Sequence, residues 1–422
     1  MSFLAVPAPA APRADAVGKA VAVVLFAIII LQRFGLNLGS YSLSPTLPAV
    51  YGLLGVALFQ RVLTVSLPRL IVYALCMTVA LASTLLNEKE TSFTSLLLIV
   101  TMYLPFVFAI SPASSATQRK AVDLFLDICT CCAVAGIAQF YLQFVIHPRW
   151  LFDFTPYLPH AIRGPAGFNT VIPVGTHYKS NGFLFREPSG FSYVMALCLM
   201  LEYSARRRVR RLACFALALL LTYSGTGLLA LIIGVLMPPS RRTIVRALFL
   251  AVVGGLLFVI LDPFLNLSFT VGRLGEFDSE RSSAYMRYIG PARLLMDTLR
   301  TEPWTLWLGH GPGTITHHHA NYEFHDPTWA KLIYEYGLVG FTLFTGLFVM
   351  ILRRSQMPLS LRITLFVAWM IMGGHLLSPE ENFLVFTLVG LLPEGEWTPA
   401  RAPAPVHTLT GQPVLRPREG TS

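Results

Sequence analysis

The chain has 422 residues, of which 54% are hydrophobic and only 13% charged, with a mean hydropathy of +0.61 and a net charge of +10. Soluble globular domains carry about 25% charged residues, and here the run from Leu212 to Met237 passes without a single one. A soluble enzyme and a disordered chain are thereby excluded, and the continuous apolar runs exclude a transmembrane β-barrel, whose strands would alternate. What remains is an all-α, polytopic integral membrane protein.

In chain order, residues 1–16, rich in Ala and Pro, read as a disordered leader. No small-residue cleavage site follows a short apolar core, so the segment from Val17 reads as a span and not as a removable signal. Apolar segments follow near 17–35, 44–63, 67–86, 91–112 and 121–146, then a polar stretch over 147–186. A further helix over 187–205 ends at a cluster of Arg206, Arg207, Arg208, Arg210 and Arg211.

The run Leu212 to Met237 lies between that cluster and Arg241, Arg242 and Arg246. Basic flanks stay on the cytoplasmic side, so the run is predicted to enter and return as two half-length helices joined at Tyr223-Ser224-Gly225-Thr226-Gly227. Such a turn is tolerable only where protein covers it. A helix then runs to Pro263, a second polar stretch covers 264–331, and apolar segments lie near 332–352, 361–378 and 382–393. Residues 394–422 read as a disordered cytoplasmic tail. Counted from a cytoplasmic N-terminus, about twelve passes, the short hairpin included, place every basic cluster inside and both polar stretches outside. Residues 17–393 then form one transmembrane domain.

The six cysteines lie within apolar segments. Cys129 and Cys132 have C-x-x-C spacing but no second pair, so they read as small hydrophobes, with no metal site and no cofactor expected. The excess positive charge belongs to loop arginines that orient spans, and no nucleic-acid partner is expected.

The chemistry is concentrated in the outer stretches, which argues for a site at the outer membrane face. From Arg281 to Arg300, apolar Tyr285, Tyr288, Ile289, Ala292, Leu295, Met296 and Leu299 recur at helical spacing, predicting an interfacial amphipathic helix with a kink at Gly290-Pro291. Its arginines, Arg281, Arg287, Arg293 and Arg300, are either anchors for lipid headgroups or, for one or two of them, a clamp on a diphosphate, whose oxygens match the guanidinium fork. Gly309-His310-Gly311-Pro312-Gly313 predicts a turn whose backbone can approach a ligand. The three histidines His317-His318-His319 read as a solvated loop. His325, placed just before a helix, is a titratable group suited to general-base work, its plain alternative being a helix-start histidine bonded to backbone.

Taken in order, Gly309-x-Gly311, His325-Asp326-x-x-Trp329 and Glu335-Tyr336-Gly337-Leu338-Val339-Gly340 resemble the signature of the O-antigen ligase and O-antigen polymerase superfamily, which includes the Wzy-type polysaccharide polymerases. Arg186-Glu187-Pro188 is similar to its Glu-Pro element, and Leu221-Thr222-Tyr223-Ser224 to its Thr-x-Ser-Arg element. Asp326 stands where the family has Asn, and Gly225 where it has Arg. The resemblance implies glycosyl transfer from an undecaprenyl-diphosphate-linked oligosaccharide at the periplasmic face of the inner membrane. It also implies inversion without a metal, with a chain-length regulator and a flippase of the same pathway as neighbours. The expected reaction is polymerisation of repeat units into O-antigen or exopolysaccharide; transfer of the finished glycan to lipid A core or protein is the alternative, and a lipid-linked sugar flippase or transporter the reading from another class. His325 is the expected catalytic base. Arg186, Glu187, Arg281, Arg287, Gly309, Gly311, Asp326 and Glu335 are the expected substrate-binding residues, with Arg281 against Arg287 left open.

Overall fold

The computed structural model describes residues 11–38, 41–87, 91–110, 115–146, 149–163, 169–175, 177–237, 240–265, 268, 282, 284–318, 320–353, 355 and 357–391. Most of these are helical. The principal helices are α1 Ala11–Ile30, α2 Thr46–Phe59, α3 Leu67–Leu86, α4 Phe93–Tyr103, α5 Ser115–Leu142, α6 Pro188–Ala205, α7 Val209–Leu220, α8 Gly225–Leu236 and α9 Arg241–Leu265. Within the second polar stretch lies α10 Gly290–Thr301, and α11 Thr328–Arg353, α12 Leu359–Val367 and α13 Pro379–Val385 follow. By length and composition Leu67–Leu86, Arg119–Leu142 and Thr328–Arg353 can each cross a membrane, and several of the other apolar helices are shorter. The first helix starts at Ala11, ahead of the expected Val17, while residues 1–10 and the expected tail lie outside the described residues.

Three short antiparallel ribbons depart from the all-α expectation: β1 Leu36–Leu38 with β2 Tyr41–Leu43, β3 Leu63–Val65 with β4 Phe108–Ile110, and β5 Pro173–Val174 with β6 His177–Tyr178. Each has only two or three residues per strand, too short for a period-2 pattern to register in the sequence.

The expected break in Leu212 to Met237 is present. Helix α7 ends at Leu220 and α8 begins at Gly225. Between them Tyr223 takes φ 48°, and Ser224 caps α8 by accepting from the Thr226 amide at 3.4 Å. The turn is covered by protein, with Leu221 and Thr222 fully buried. Its carbonyls are met by the preceding polar stretch, since the Ser180 amide donates to Leu221 O at 3.1 Å and Lys179 Nζ to Tyr223 O at 3.3 Å. Helix α7 leaves the C-terminal end of α6 and runs back along it, and α8 then follows α6 in the same direction. Gly227 lies so close to Ser192 that a Cβ would stand 2.4 Å from its carbonyl oxygen, and further on a Cβ at Gly234 would meet Met200.

The core is largely aliphatic, with a set of aromatic rings packed within it. Tyr103, Phe106, Phe344 and Phe386 interlock edge to face, and Phe348 stacks on Trp369 with ring centroids 4.1 Å apart. Arg69 is buried there and donates to Gly390 O at 2.8 Å, closing the π turn Phe386–Gly390.

The amphipathic stretch folds as a π turn, Tyr285–Ile289, leading into α10, so the irregularity lies in the turn just before Gly290-Pro291, and those two residues open the regular helix. Its apolar residues divide: Leu294 and Leu295 pack with Ile315, Ala330 and Tyr334, while Ile289 and Met296 are exposed.

Candidate active site

A cavity of about 670 Å³ opens where the N-terminus of α6 meets the loops before α11 and α13, within the range of about 300–1,000 Å³ of ligand pockets. Arg186 and Glu187 enter it because the chain before α6 is rigidly held. The Asn169 amide donates to the carbonyls of Phe183 and Phe185 at 2.9 and 2.8 Å, and the Thr170 amide donates to Arg186 O at 2.6 Å. Pro188 then starts the helix, its missing N–H being no loss at that position.

Arg287 reaches the cavity from the π turn. Its guanidinium donates to Thr226 Oγ1 at 3.3 Å and stands 3.7 Å from Glu187 Oε1. The His325 amide donates to Met286 O at 2.8 Å, so the loop bearing His325 and Asp326 is tied to that same turn. Partial burial and the Arg287 charge hold the His325 imidazole below the usual histidine range, against the opposite pull of Glu187, Asp326 and Glu323. Arg186, Glu187, Arg287, His325 and Asp326 thus line one cavity although they come from three separate parts of the sequence.

The remaining sequence-selected residues stand elsewhere. Arg281 lies outside the described residues, as does His319. Arg293 lies over the Tyr322 ring at 4.5 Å, and Arg300 is exposed beside Asp297. Gly309 and Gly311 take φ +69° and +94° and are filled in by protein: a Cβ on Gly309 would lie 2.4 Å from Glu335 C in α11, and one on Gly311 would meet the Thr91 side chain. The approach expected of this turn is therefore toward another stretch of the protein's own backbone. Glu335 is fully buried within α11 and pairs with Lys331, Nζ to Oε1 3.1 Å. Lys331 in turn donates to Asp326 Oδ2 at 3.0 Å.

Sequence reasoning missed the rest of the charged lining, formed by Arg33, His375, Ser378, Glu380 and Glu381. Arg33 follows α1, and its pKa falls to about 10 through burial and the nearby Arg186 guanidinium, with Glu380 and Glu187 opposing. His375 Nδ1 stands 3.6 Å from Glu381 Oε1, and its ring stacks on Tyr193. Ser378 Oγ donates to Glu381, while Ser44 Oγ donates to Glu380 Oε1 at 2.9 Å. Burial and the adjacent Glu381 push the Glu380 carboxyl up; burial acts likewise on Glu381 but is outweighed by His375 and Ser378, which hold it down. The available signal was a charged or titratable residue at the edge of an apolar run, which hydropathy alone assigns to span ends.

Such a cavity, with three guanidinium groups, two imidazoles and several carboxylates at the edge of an apolar helical protein, is suited to a polar substrate that also has a membrane-embedded part. The family model of the WcaD colanic acid polymerases matches residues 20–392. The chain belongs to this family of membrane polysaccharide polymerases of the Wzy type, which join lipid-linked repeat units. No curated protein matches the chain.

Proposed function

We propose that the protein polymerises undecaprenyl-diphosphate-linked oligosaccharide repeat units into an exopolysaccharide or O-antigen at the periplasmic face of the inner membrane. The observation carrying this reading is the cavity uniting Arg33, Arg186 and Arg287 with His325. It lies at the N-terminal end of α6, and the basic cluster Arg206 to Arg211 lies at the other end. Basic clusters remain cytoplasmic, so the cavity faces out, in keeping with a chain of about twelve passes.

In this mechanism the arginines hold the donor's diphosphate by charge-assisted hydrogen bonds. His325 takes the proton of the acceptor hydroxyl. That oxygen forms a bond to the anomeric carbon as the bond from carbon to phosphate oxygen breaks, and the lipid diphosphate leaves with the electron pair among the guanidinium groups. A single displacement inverts the anomeric centre. The donor is already activated by its leaving group, so the chemistry requires no nucleotide sugar. His375, Glu380 and Glu381 form the acceptor side, where carboxylate oxygens accept from sugar hydroxyls.

The test is purified full-length protein incubated with a lipid-linked repeat unit and scored by gel for a ladder of products. A ladder with release of lipid diphosphate is expected. In cells lacking the protein, single repeats should reach the surface; long chains stranded on the carrier lipid would instead identify a ligase and overturn the proposal.

A further inference from the structure

The buried ion-pair chain beneath the cavity has no part in the chemistry just described, and the glycine-rich motifs that converge on it are not at the cavity. Lys331 has 4% side-chain exposure and Glu335 none. Buried ion pairs bring little net stability after desolvation and are best justified where they fix a geometry. Here they have such a geometry to fix. Helix α11 is broken at Gly337, φ +66°. The break leaves the carbonyls of Tyr334 and Glu335 to be met from outside: the His310 amide donates to Tyr334 O at 2.9 Å and the Gly311 amide to Glu335 O at 2.8 Å, joined there by Ser83 Oγ at 2.8 Å. The fit is backbone to backbone, since a Cβ on Gly337 would stand 2.2 Å from Trp307 C. This rigid joint sets where Glu335 lies. Glu335 holds Lys331, and Lys331 holds Asp326 Oδ2. The other carboxylate oxygen, Oδ1, lies against Gly374, 3.1 Å from the position a Cβ would take there. The Asp326 carboxylate, 40% exposed, is thereby held from below by Lys331 with Gly374 leaving room for its second oxygen, and His325 is the next residue.

We propose that Lys331 is a positioning residue for glycosyl transfer: it transmits the register of the Gly337 break through Glu335 to Asp326 and so fixes the His325–Asp326 turn in the cavity wall. The inference rests on the polymerase reading. It gives the G-x-G and E-x-G motifs one role, as the foundation of the turn that bears the imidazole. Lys331 also neutralises Asp326. The charged groups acting on His325 are Arg287, Glu187, Glu323 and Asp326, and Asp326 favours the protonated imidazole. Without Lys331 its pull strengthens.

The test is the double variant Lys331→Met with Glu335→Gln, purified at full length and assayed with the same lipid-linked repeat unit across a pH series. Both members become neutral, so no lone buried charge remains. The expected result is a wild-type melting temperature, a fall in kcat of about a hundredfold, the scale of a misplacement of about 1 Å, a KM within about twofold, and an acid limb displaced to higher pH. A variant that melts normally with wild-type kcat and an unmoved limb overturns the proposal. If the double variant does not fold, Asp326→Ala, which keeps the buried pair and removes the link together with one carboxylate of the cavity wall, should lose turnover at least to the same extent, and wild-type kinetics there overturns the proposal equally. Absence of a ladder with the unaltered protein is a different outcome, which sinks the polymerase reading itself.

Discussion

Replacing Arg287 by Lys preserves charge and removes the planar fork. The structure shows what the fork does in the cavity: one arm donates to Thr226 Oγ1 at 3.3 Å and the other stands 3.7 Å from Glu187. A lysine ammonium is a compact point charge and cannot span both directions. If the diphosphate engages Arg287 bidentately, Lys loses one of two hydrogen bonds to a charged group, about 1.5–3 kcal/mol. At about 1.4 kcal/mol per tenfold, this corresponds to a fall in kcat/KM of about 10- to 140-fold. The assay is initial-rate polymerisation with the protein in nanodiscs at fixed ionic strength. Glu187→Gln serves as a control that removes only the partner carboxylate. Arg287→Lys within about twofold of wild type, with correct insertion, would refute the bidentate clamp.

His325→Ala should lower turnover by about 10² to 10⁴, and because the folded imidazole holds its proton less tightly than usual, the acid limb of kcat/KM should lie below the ordinary histidine value of about 6.5; a limb above that value contradicts the electrostatics described. Gly337→Ala imposes a left-handed conformation costing about 1–2 kcal/mol and adds a clash with rigid backbone, worth about 1–3 kcal/mol more. Thermal unfolding in detergent should show a clear loss, and an unchanged midpoint would mean that the break is not needed. His375→Phe keeps a ring beside Tyr193 while removing the nitrogen that faces Glu381; turnover should fall about tenfold or more, the scale of one hydrogen bond to a charged group, with thermal stability retained, and normal kinetics would remove His375 from the acceptor side.

How far the sequence could be read depended on whether a signal was local. The break after Leu220 was legible because two arginine clusters demanded a reversal and Ser224-Gly225 supplied cap and turn. The grouping of Arg186, Glu187, Arg287 and His325 was legible through short motifs at helix entrances. Arg33 and Glu380 were not: each sits at the margin of an apolar run, and only packing of the first helix against the last brings them together. Gly309, Gly311 and Glu335 carried a real signal with a different meaning. Positive φ and close approach are needed equally by a ligand turn and by a joint between two backbones, and one sequence cannot tell which body fills the space. The ribbons escaped because a strand of two or three residues has no period.

The cavity draws Arg33 from the exit of the first helix and Glu380 and Glu381 from the entry of the last. During synthesis the ribosome releases the first of these hundreds of residues before the last. A nascent chain whose earlier helices are already inserted therefore presents Arg33, Arg186 and Arg287 without Glu380 and Glu381. On the proposed mechanism such a chain has arginines for the diphosphate and no acceptor side to receive the sugar. On the same proposed mechanism, competence arrives only when the helix bearing Glu380 and Glu381 docks. Truncation anywhere before residue 381 should therefore abolish polymer outright and not shorten it.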